Sequence, residues 1–362
     1  MREIESRSTT DRRTFLKEAM AIGGATAVAG SAFNLGALSA AGAQEGTPDW
    51  SKQIGLELYT VRDNMLDQKT YISTLEKVAG LGYKEVEPAG GYAGLEPKDF
   101  RALLDRLGLS MPSTHSGAAE GPDLEKQLEG FQTMGIKYCE ISAPRGQGRA
   151  TPGAAGRGPG RALAPGAYYN PGNGITYNSF TETTAFGPYQ PPVSLESVKQ
   201  RAAQLNEHGK IAQKFGIKML VHNHTGEFEK LTDDAKSTYD VLLAETDPEL
   251  VTMQLDVGWA NIAGVNVFDL FKGHPGRFEL WHIKDVVGLK TVNTSLPPNQ
   301  RTASMAFVPV GAGQIDYKAV FAGAKQAGLK HFCVEQDNAA SWGDSMAAAR
   351  VSCDALRKML AA

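Results

Sequence analysis

Four separate apolar runs in the second half of this chain each stop on a residue that can ligate a metal. Ile217 to Val221 runs into His222, Val251 to Leu255 into Asp256, Phe278 to Trp281 into His282, and His331 to Val334 into Glu335. Short apolar runs bounded by polar turn residues read as buried strands. Four strands that each deliver a nitrogen or oxygen donor at the carboxyl tip point to one shared site. Imidazole nitrogen with carboxylate oxygen suits a divalent cation. The richest tip is Val221-His222-Asn223-His224-Thr225-Gly226-Glu227-Phe228, where two histidines, an amide and a carboxylate crowd together.

Four more strand-like runs precede these: Ile54 to Tyr59, Tyr83 to Glu87, Leu109 to Thr114 (ending at His115) and Lys137 to Ser142. Between the strands the periodicity predicts helices over Tyr71 to Ala79 with Gly80 as the stop, Pro97 to Leu107, Leu124 to Met134, Ser194 to Phe215, Asp233 to Ala244, Val267 to Phe271, Tyr317 to Ala327 and Asp344 to Leu360. Strand–helix alternation makes a parallel sheet. Eight such units close most readily into an α/β (β/α)8 TIM barrel, whose active site lies at the carboxyl ends of its strands. A doubly wound open sheet is the alternative, but it would carry a Gly-rich turn after the first strand; Tyr59-Thr60-Val61-Arg62 is not one. Two long connections break the rhythm, 144–192 after strand four and Val286 to Gly313 after strand seven. The first is rich in Gly, Pro and Ala. It reads either as a lid or docking arm offering Arg145, Arg149, Tyr168, Tyr169 or Tyr177, or as a plain surface insertion.

The 362 residues, 42% hydrophobic and 21% charged, supply a proper core for one such domain over 50–362. A net charge of −3 gives no basic footprint for nucleic acid. The three cysteines, Cys139, Cys333 and Cys353, form no disulfide framework. At the amino end, Arg12-Arg13 precedes a modest apolar run from Ala19 to Gly30, and Ala41-Gly42-Ala43 offers a small-residue cleavage site. Residues 1–43 therefore read as a twin-arginine export signal, which would put the mature chain in the periplasm or outside the cell. No later run is long and apolar enough to span a bilayer.

Taken together, Ile54-Gly55-Leu56-Glu57-Leu58-Tyr59-Thr60, Val221-His222-Asn223-His224, Leu255-Asp256-Val257-Gly258-Trp259, His282-Ile283-Lys284-Asp285, Pro309 to Asp316 and Val334-Glu335-Gln336-Asp337 resemble the xylose isomerase-like barrels called sugar phosphate isomerases/epimerases. In that family one divalent ion, often manganese, is held by a glutamate after strand five, an aspartate after strand six, a histidine after strand seven and a glutamate after strand eight. The resemblance implies Asp256, His282 and Glu335 as ligands, with Mn2+ as the first choice and Mg2+, Co2+ or Zn2+ as alternatives. At strand five this chain has His222 instead of glutamate. His222 is favoured there; His224, which shares its face on an extended strand, and Glu227 stay open. Where some members carry a histidine three residues past the strand-six aspartate, this chain has Trp259, expected as a pocket wall against a sugar face.

Sugar isomerisation and epimerisation move a proton from a carbon beside a carbonyl, through an enediolate. The reaction needs a Lewis acid and a flanking acid–base pair. Glu140 and His115 are the catalytic candidates. Lys284, two residues past His282, would share its face and meet a substrate oxygen. Glu87, His224, Glu227 and Trp259 are candidate substrate contacts, Glu87 also being a possible acid or base. The same apparatus supports β-elimination from a 3-keto-glycoside. Because phosphorylated sugars are rare outside the cytoplasm, an exported enzyme is expected to take an unphosphorylated sugar, keto-sugar or glycoside. A non-catalytic sugar-binding barrel is the competing class, and a DNA-repair nuclease is remote. A second copy or a partner subunit is an open way of completing the pocket.

Overall fold

The computed structural model describes residues 48–118, 121–141, 167–170, 175–178, 193–291, 295–296 and 305–361. The expected signal segment, and Arg145 and Arg149 of the insertion, lie outside them. Eight parallel strands are present: β1 Gly55–Glu57, β2 Glu85–Glu87, β3 Ser113–Ala118, β4 Tyr138–Ile141, β5 Lys218–His222, β6 Val251–Asp256, β7 Leu280–Ile283 and β8 His331–Val334. Their order in the sheet is β2-β1-β8-β7-β6-β5-β4-β3. Across the remaining seam, Ser110 N donates to Lys84 O and Val86 N to Ser110 O, both at 2.9 Å, so the sheet is a nearly closed TIM barrel. Strand β6 is buried along its whole length, as expected of a parallel strand covered on both faces.

The helices are α1 Gln68–Leu81, α2 Pro97–Leu107, α3 Leu124–Met134, α4 Leu195–Gln213, α5 Thr238–Glu245, α6 Val257–Ala263, α7 Val267–Gly273, α8 Tyr317–Ala322, α9 Ala324–Ala327 and α10 Ser345–Leu360. Several boundaries differ from expectation for identifiable reasons. Helix α1 starts at an Asp67–Thr70 capping box and runs through Gly80 to Gly82, whose φ of 96° ends it. Helix α5 begins only after the Ser237 capping box, not at Asp233. The expected 317–327 helix breaks at Gly323. Strand β1 is cut short because the Glu57 carboxylate accepts from Tyr59 N at 2.8 Å, turning the chain into 3-10 geometry.

Two antiparallel hairpins decorate the barrel. One pairs Ala167–Asn170 with Ile175–Asn178 inside the insertion, and the other pairs Asp285–Val287 with Ala306–Val308 directly after β7. Between sheet and helices the core is aromatic; Phe271 stacks on Trp281 with ring centroids 5.2 Å apart. An ion network fills the amino-terminal end of the barrel. There Glu279 accepts from Tyr138 Oη and Lys218 Nζ at 2.8 Å and pairs with Lys330 Nζ at 3.0 Å. That end is thereby plugged, and the opposite end carries the strand tips. No helix among the described residues is long and apolar enough to cross a membrane.

Candidate metal centre

The barrel brings the four ligand candidates together. His222, Asp256, His282 and Glu335 each offer one atom, and these atoms all lie within 4.8 Å of one another. His224 and Glu227 are outside that group. Local sequence explains the aim of each side chain. Asp256 ends β6 and caps α6, its Oδ1 accepting from Trp259 N at 2.8 Å, which leaves Oδ2 for the site. Asn223 points away from its two flanking histidines and clamps β5 to β6. Its Oδ1 accepts from Asp256 N at 3.0 Å and its Nδ2 donates to Asp256 O at 3.3 Å. Gly258 lets the α6 turn lie against β7, since a Cβ there would stand 2.6 Å from Lys284 Cβ and 2.9 Å from its carbonyl oxygen.

The donor set fits a cation. His222 Nδ1, Asp256 Oδ2, His282 Nδ1 and Glu335 Oε2 are all buried without a hydrogen-bond partner. The two carboxylate oxygens have the charge of Lys284 beside them, but the two imidazole nitrogens have no donor, and leaving such an atom unpaired costs about 1–3 kcal/mol, so the four together suit a cation. His282 Nδ1 and Glu335 Oε2 are 2.6 Å apart without hydrogen-bond alignment. Burial, with the neighbouring His282 and His115, pushes His222 well below the usual imidazole range, which keeps its lone pair available. Burial pushes the Asp256 carboxyl up to about 6 although Lys284 pulls it down. Burial also opposes ionisation of Glu335, but Lys284 and His282 overcome it and hold Glu335 well below the carboxylate range. Burial alone would lower His282; the charges of Glu87 and Glu335 outweigh it and lift the ring to about 10.

Lys284 is fully buried beside the ligands, not open to solvent. Its Nζ lies 3.3 Å from Asp256 Oδ2, 2.9 Å from Glu335 Oε2 and 2.9 Å from Asp337 Oδ2, with the hydrogen bond going to Asp337. Trp259 is also buried. It packs edge-on to Phe307 at 4.8 Å and beneath the exposed His224 ring at 5.2 Å. Glu227 holds the turn after β5, its Oε2 accepting from His224 N at 2.7 Å.

Of the acid–base candidates, His115 sits where the register of β3 on β4 shifts, an irregularity of the kind that re-aims a side chain. Its ring stacks on His282 at 5.0 Å and meets His222 edge-on at 4.9 Å. Burial lowers His115, yet Glu87 and Glu140 together raise it well above the usual range. Glu140, partly buried at the end of β4, is thus within electrostatic reach of His115. Glu87, expected to meet substrate, is completely buried with both oxygens engaged. Oε1 accepts from His282 Nε2 at 2.7 Å and lies 3.0 Å from His115 Nε2 as an ion-pair contact; Oε2 accepts from Gln254 Nε2 at 2.7 Å and from the Ser113 hydroxyl. It therefore stands behind the histidines.

Sequence reasoning passed over Gln254, Asp337 and Asp285. Gln254 and Asp337 lie two residues from Asp256 and Glu335, and strand alternation puts residues at that spacing on one face. Gln254 Oε1 takes His115 Nε2 at 2.6 Å. The Asp285 carboxylate accepts from the amides of Val286, Gly311, Gly313 and Ile315, which ties the Gly-rich 309–316 segment to the end of β7. No periodicity rule foresees that bond.

A family model described as a xylose isomerase-like TIM barrel matches residues 75–359. The inosose dehydratase of Geobacillus thermodenitrificans (strain NG80-2) is 30% identical over 141 residues, 37% of this chain and 46% of that protein. The inosose dehydratase of Geobacillus kaustophilus (strain HTA426) is 26% identical over 269 residues, 71% of this chain and 76% of that protein. The matches to the first three curated relatives span less than half of each relative's length. Among solved structures, a sugar phosphate isomerase/epimerase from Parabacteroides distasonis ATCC 8503 superposes with a TM-score of 0.58 at 18% identity, covering 89% of this chain and 96% of that one. An L-ribulose 3-epimerase gives 0.53 at 13% identity over 85% and 94%. A xylose isomerase-like barrel from Mycobacterium smegmatis, solved in complex with magnesium, gives 0.54 at 15% over 86% and 97%. At these identities the structural likeness speaks for the fold.

Proposed function

The chain belongs to the xylose isomerase-like TIM barrel family, and from that premise we propose that it is a divalent-metal-dependent sugar isomerase/epimerase acting through an enediolate on an unphosphorylated sugar or keto-sugar. The observation that carries this reading is the convergence, at the tips of β5, β6, β7 and β8, of four buried donor atoms that make no hydrogen bond. His222, Asp256, His282 and Glu335 would hold the ion, with Mn2+ the proposed metal. When bound, such an ion supplies Lewis acidity to a carbonyl oxygen and its neighbouring hydroxyl.

The chain's own residues do the rest. With a bound cation's charge opposing the Glu87 and Glu140 carboxylates that raise it, His115 would take the proton from the carbon beside the carbonyl, and Glu140 is the second group able to hold or return it. Lys284 keeps Asp256 and Glu335 ionised. His224, seated on Trp259, presents an exposed ring at the mouth for sugar hydroxyls. The Arg12-Arg13 segment supports export by the twin-arginine route, and export favours a substrate without phosphate.

A second reading, β-elimination from a 3-keto-glycoside or related keto-cyclitol, is favoured by the curated inosose dehydratases. Proton abstraction beside a ketone is common to both; the fate of the neighbouring oxygen separates them. Incubation of the Mn2+-loaded protein in D2O with free ketoses and with 3-keto-glucosides tests both. Deuterium at the carbon beside the carbonyl with inversion supports the epimerase, and release of aglycone supports elimination. Binding of sugar with no exchange at all would overturn both in favour of a binding barrel.

A further inference from the structure

We propose that Glu87 is a double positioning residue, one carboxylate oxygen fixing the ring orientation of two histidines that have different jobs. The proposal rests on the metal-centre reading and assigns a role to a residue outside the ligand set. Glu87 Oε1 lies 2.7 Å from His282 Nε2 and 3.0 Å from His115 Nε2. An ionised carboxylate only accepts, so both rings must carry their proton on Nε2. Gln254 enforces the same choice. Its amide nitrogen donates to Glu87 Oε2 at 2.7 Å, which leaves its Oε1, 2.6 Å from His115 Nε2, as an acceptor. The Ser113 hydroxyl, also bonded to Oε2, completes the carboxylate's hold.

Both rings, stacked 5.0 Å apart at 17°, are thereby left with Nδ1 as the working nitrogen. For His282 that atom is the buried, unpartnered one beside Asp256 and Glu335. For the partly exposed His115 it is the nitrogen that can take a proton from substrate. One buried anion therefore sets a ligand and a base at once. Carboxylates behind ligating histidines orient the ring and raise its basicity, and their loss typically costs 10- to 100-fold in metal affinity. Here the same loss is expected to reach the base as well.

The test uses Glu87→Gln in the full mature chain, an isosteric change that retains one acceptor. Both rings meet the same oxygen, so the amide either keeps its oxygen there and turns its NH2 on the Gln254 amide, which must then flip its own acceptor away from His115, or turns its NH2 on both rings; either way at least one histidine loses an acceptor. Mn2+ affinity by titration calorimetry is expected to weaken about 10- to 100-fold. In the diamagnetic Zn2+-loaded wild type, nitrogen-edited NMR is expected to show slowly exchanging, downfield Nε2–H protons on both His115 and His282, and on at most one of them in the variant. Mn2+ affinity within twofold of wild type, or both Nε2–H signals persisting in the variant, would overturn the proposal. Should the variant not fold, the wild-type spectrum still decides, because a proton on Nδ1 instead of Nε2 of either ring contradicts it. Neither measurement uses a sugar, so a failure here is distinct from a failure of the isomerase reading.

Discussion

Replacing Lys284 by methionine should destabilise the cation-free protein far more than the cation-loaded one. The ammonium is fully buried and stands within 3.3 Å of Asp256, Glu335 and Asp337. Methionine fills similar space without charge, leaving three buried carboxylates facing no ammonium. Removing one partner of a buried ion pair costs about 3–5 kcal/mol, which at about 2 °C per kcal/mol for a large domain lowers Tm by roughly 6–10 °C. A bound divalent ion takes over the charge at Asp256 and Glu335, so that only the bond to Asp337 stays broken, a loss of about 1.5–3 kcal/mol. The difference between the two states, about 1.5–2 kcal/mol, must reappear as cation affinity tightened roughly 10- to 30-fold, because stability and binding are linked. Thermal unfolding in EDTA and in saturating Mn2+, beside calorimetric titration, measures all three quantities. Equal losses with and without the ion, or weaker cation binding in the variant, would refute the view of Lys284 as a resident counter-charge and favour a direct part in substrate chemistry.

Other outcomes follow from the same geometry. Cation affinity should rise about tenfold per pH unit from neutrality and level off near pH 10, because the ring raised to about 10 by Glu87 and Glu335 must surrender its Nδ1 proton to bind; a flat profile in pH-stepped titrations would contradict this. In the cation-free protein that same raised ring stabilises the fold fully below its ordinary value near 6.5, and the contribution fades as pH climbs toward about 10. His222→Ala is expected to abolish stoichiometric metal by elemental analysis while His224→Ala retains it, and the reverse result would move the β5 ligand. Gly258→Ala should cost about 1–3 kcal/mol or more by urea unfolding, since its methyl would meet the Lys284 backbone at 2.9 Å; an unchanged midpoint would show that α6 can shift away from β7.

Much of this arrangement was legible because parallel barrel strands are written as short apolar runs and their tips stand out as isolated polar residues. His222, Asp256, His282 and Glu335 could be found that way without knowing how the strands pair. Helices with a clear amphipathic stripe and a terminal glycine, such as α2 and α3, were legible to the residue. What the pattern hid were features decided by three-dimensional partners. Val257–Ala263 looks like the continuation of a strand, and becomes a helix because Asp256 caps it and Gly258 allows close approach. Glu87 looked like a pocket carboxylate because burial behind two imidazoles has no one-dimensional signature. The burial of Lys284 is hidden for a similar reason: its three acidic partners come from β6 and from the segment after β8.

The central claim is that four strand tips hold one divalent ion, and anomalous diffraction at the manganese edge from crystals grown with Mn2+ tests it most directly. The account predicts a single strong peak bounded by His222 Nδ1, Asp256 Oδ2, His282 Nδ1 and Glu335 Oε2. No peak at that position in crystals saturated with Mn2+, or a peak bounded by other residues, would contradict it.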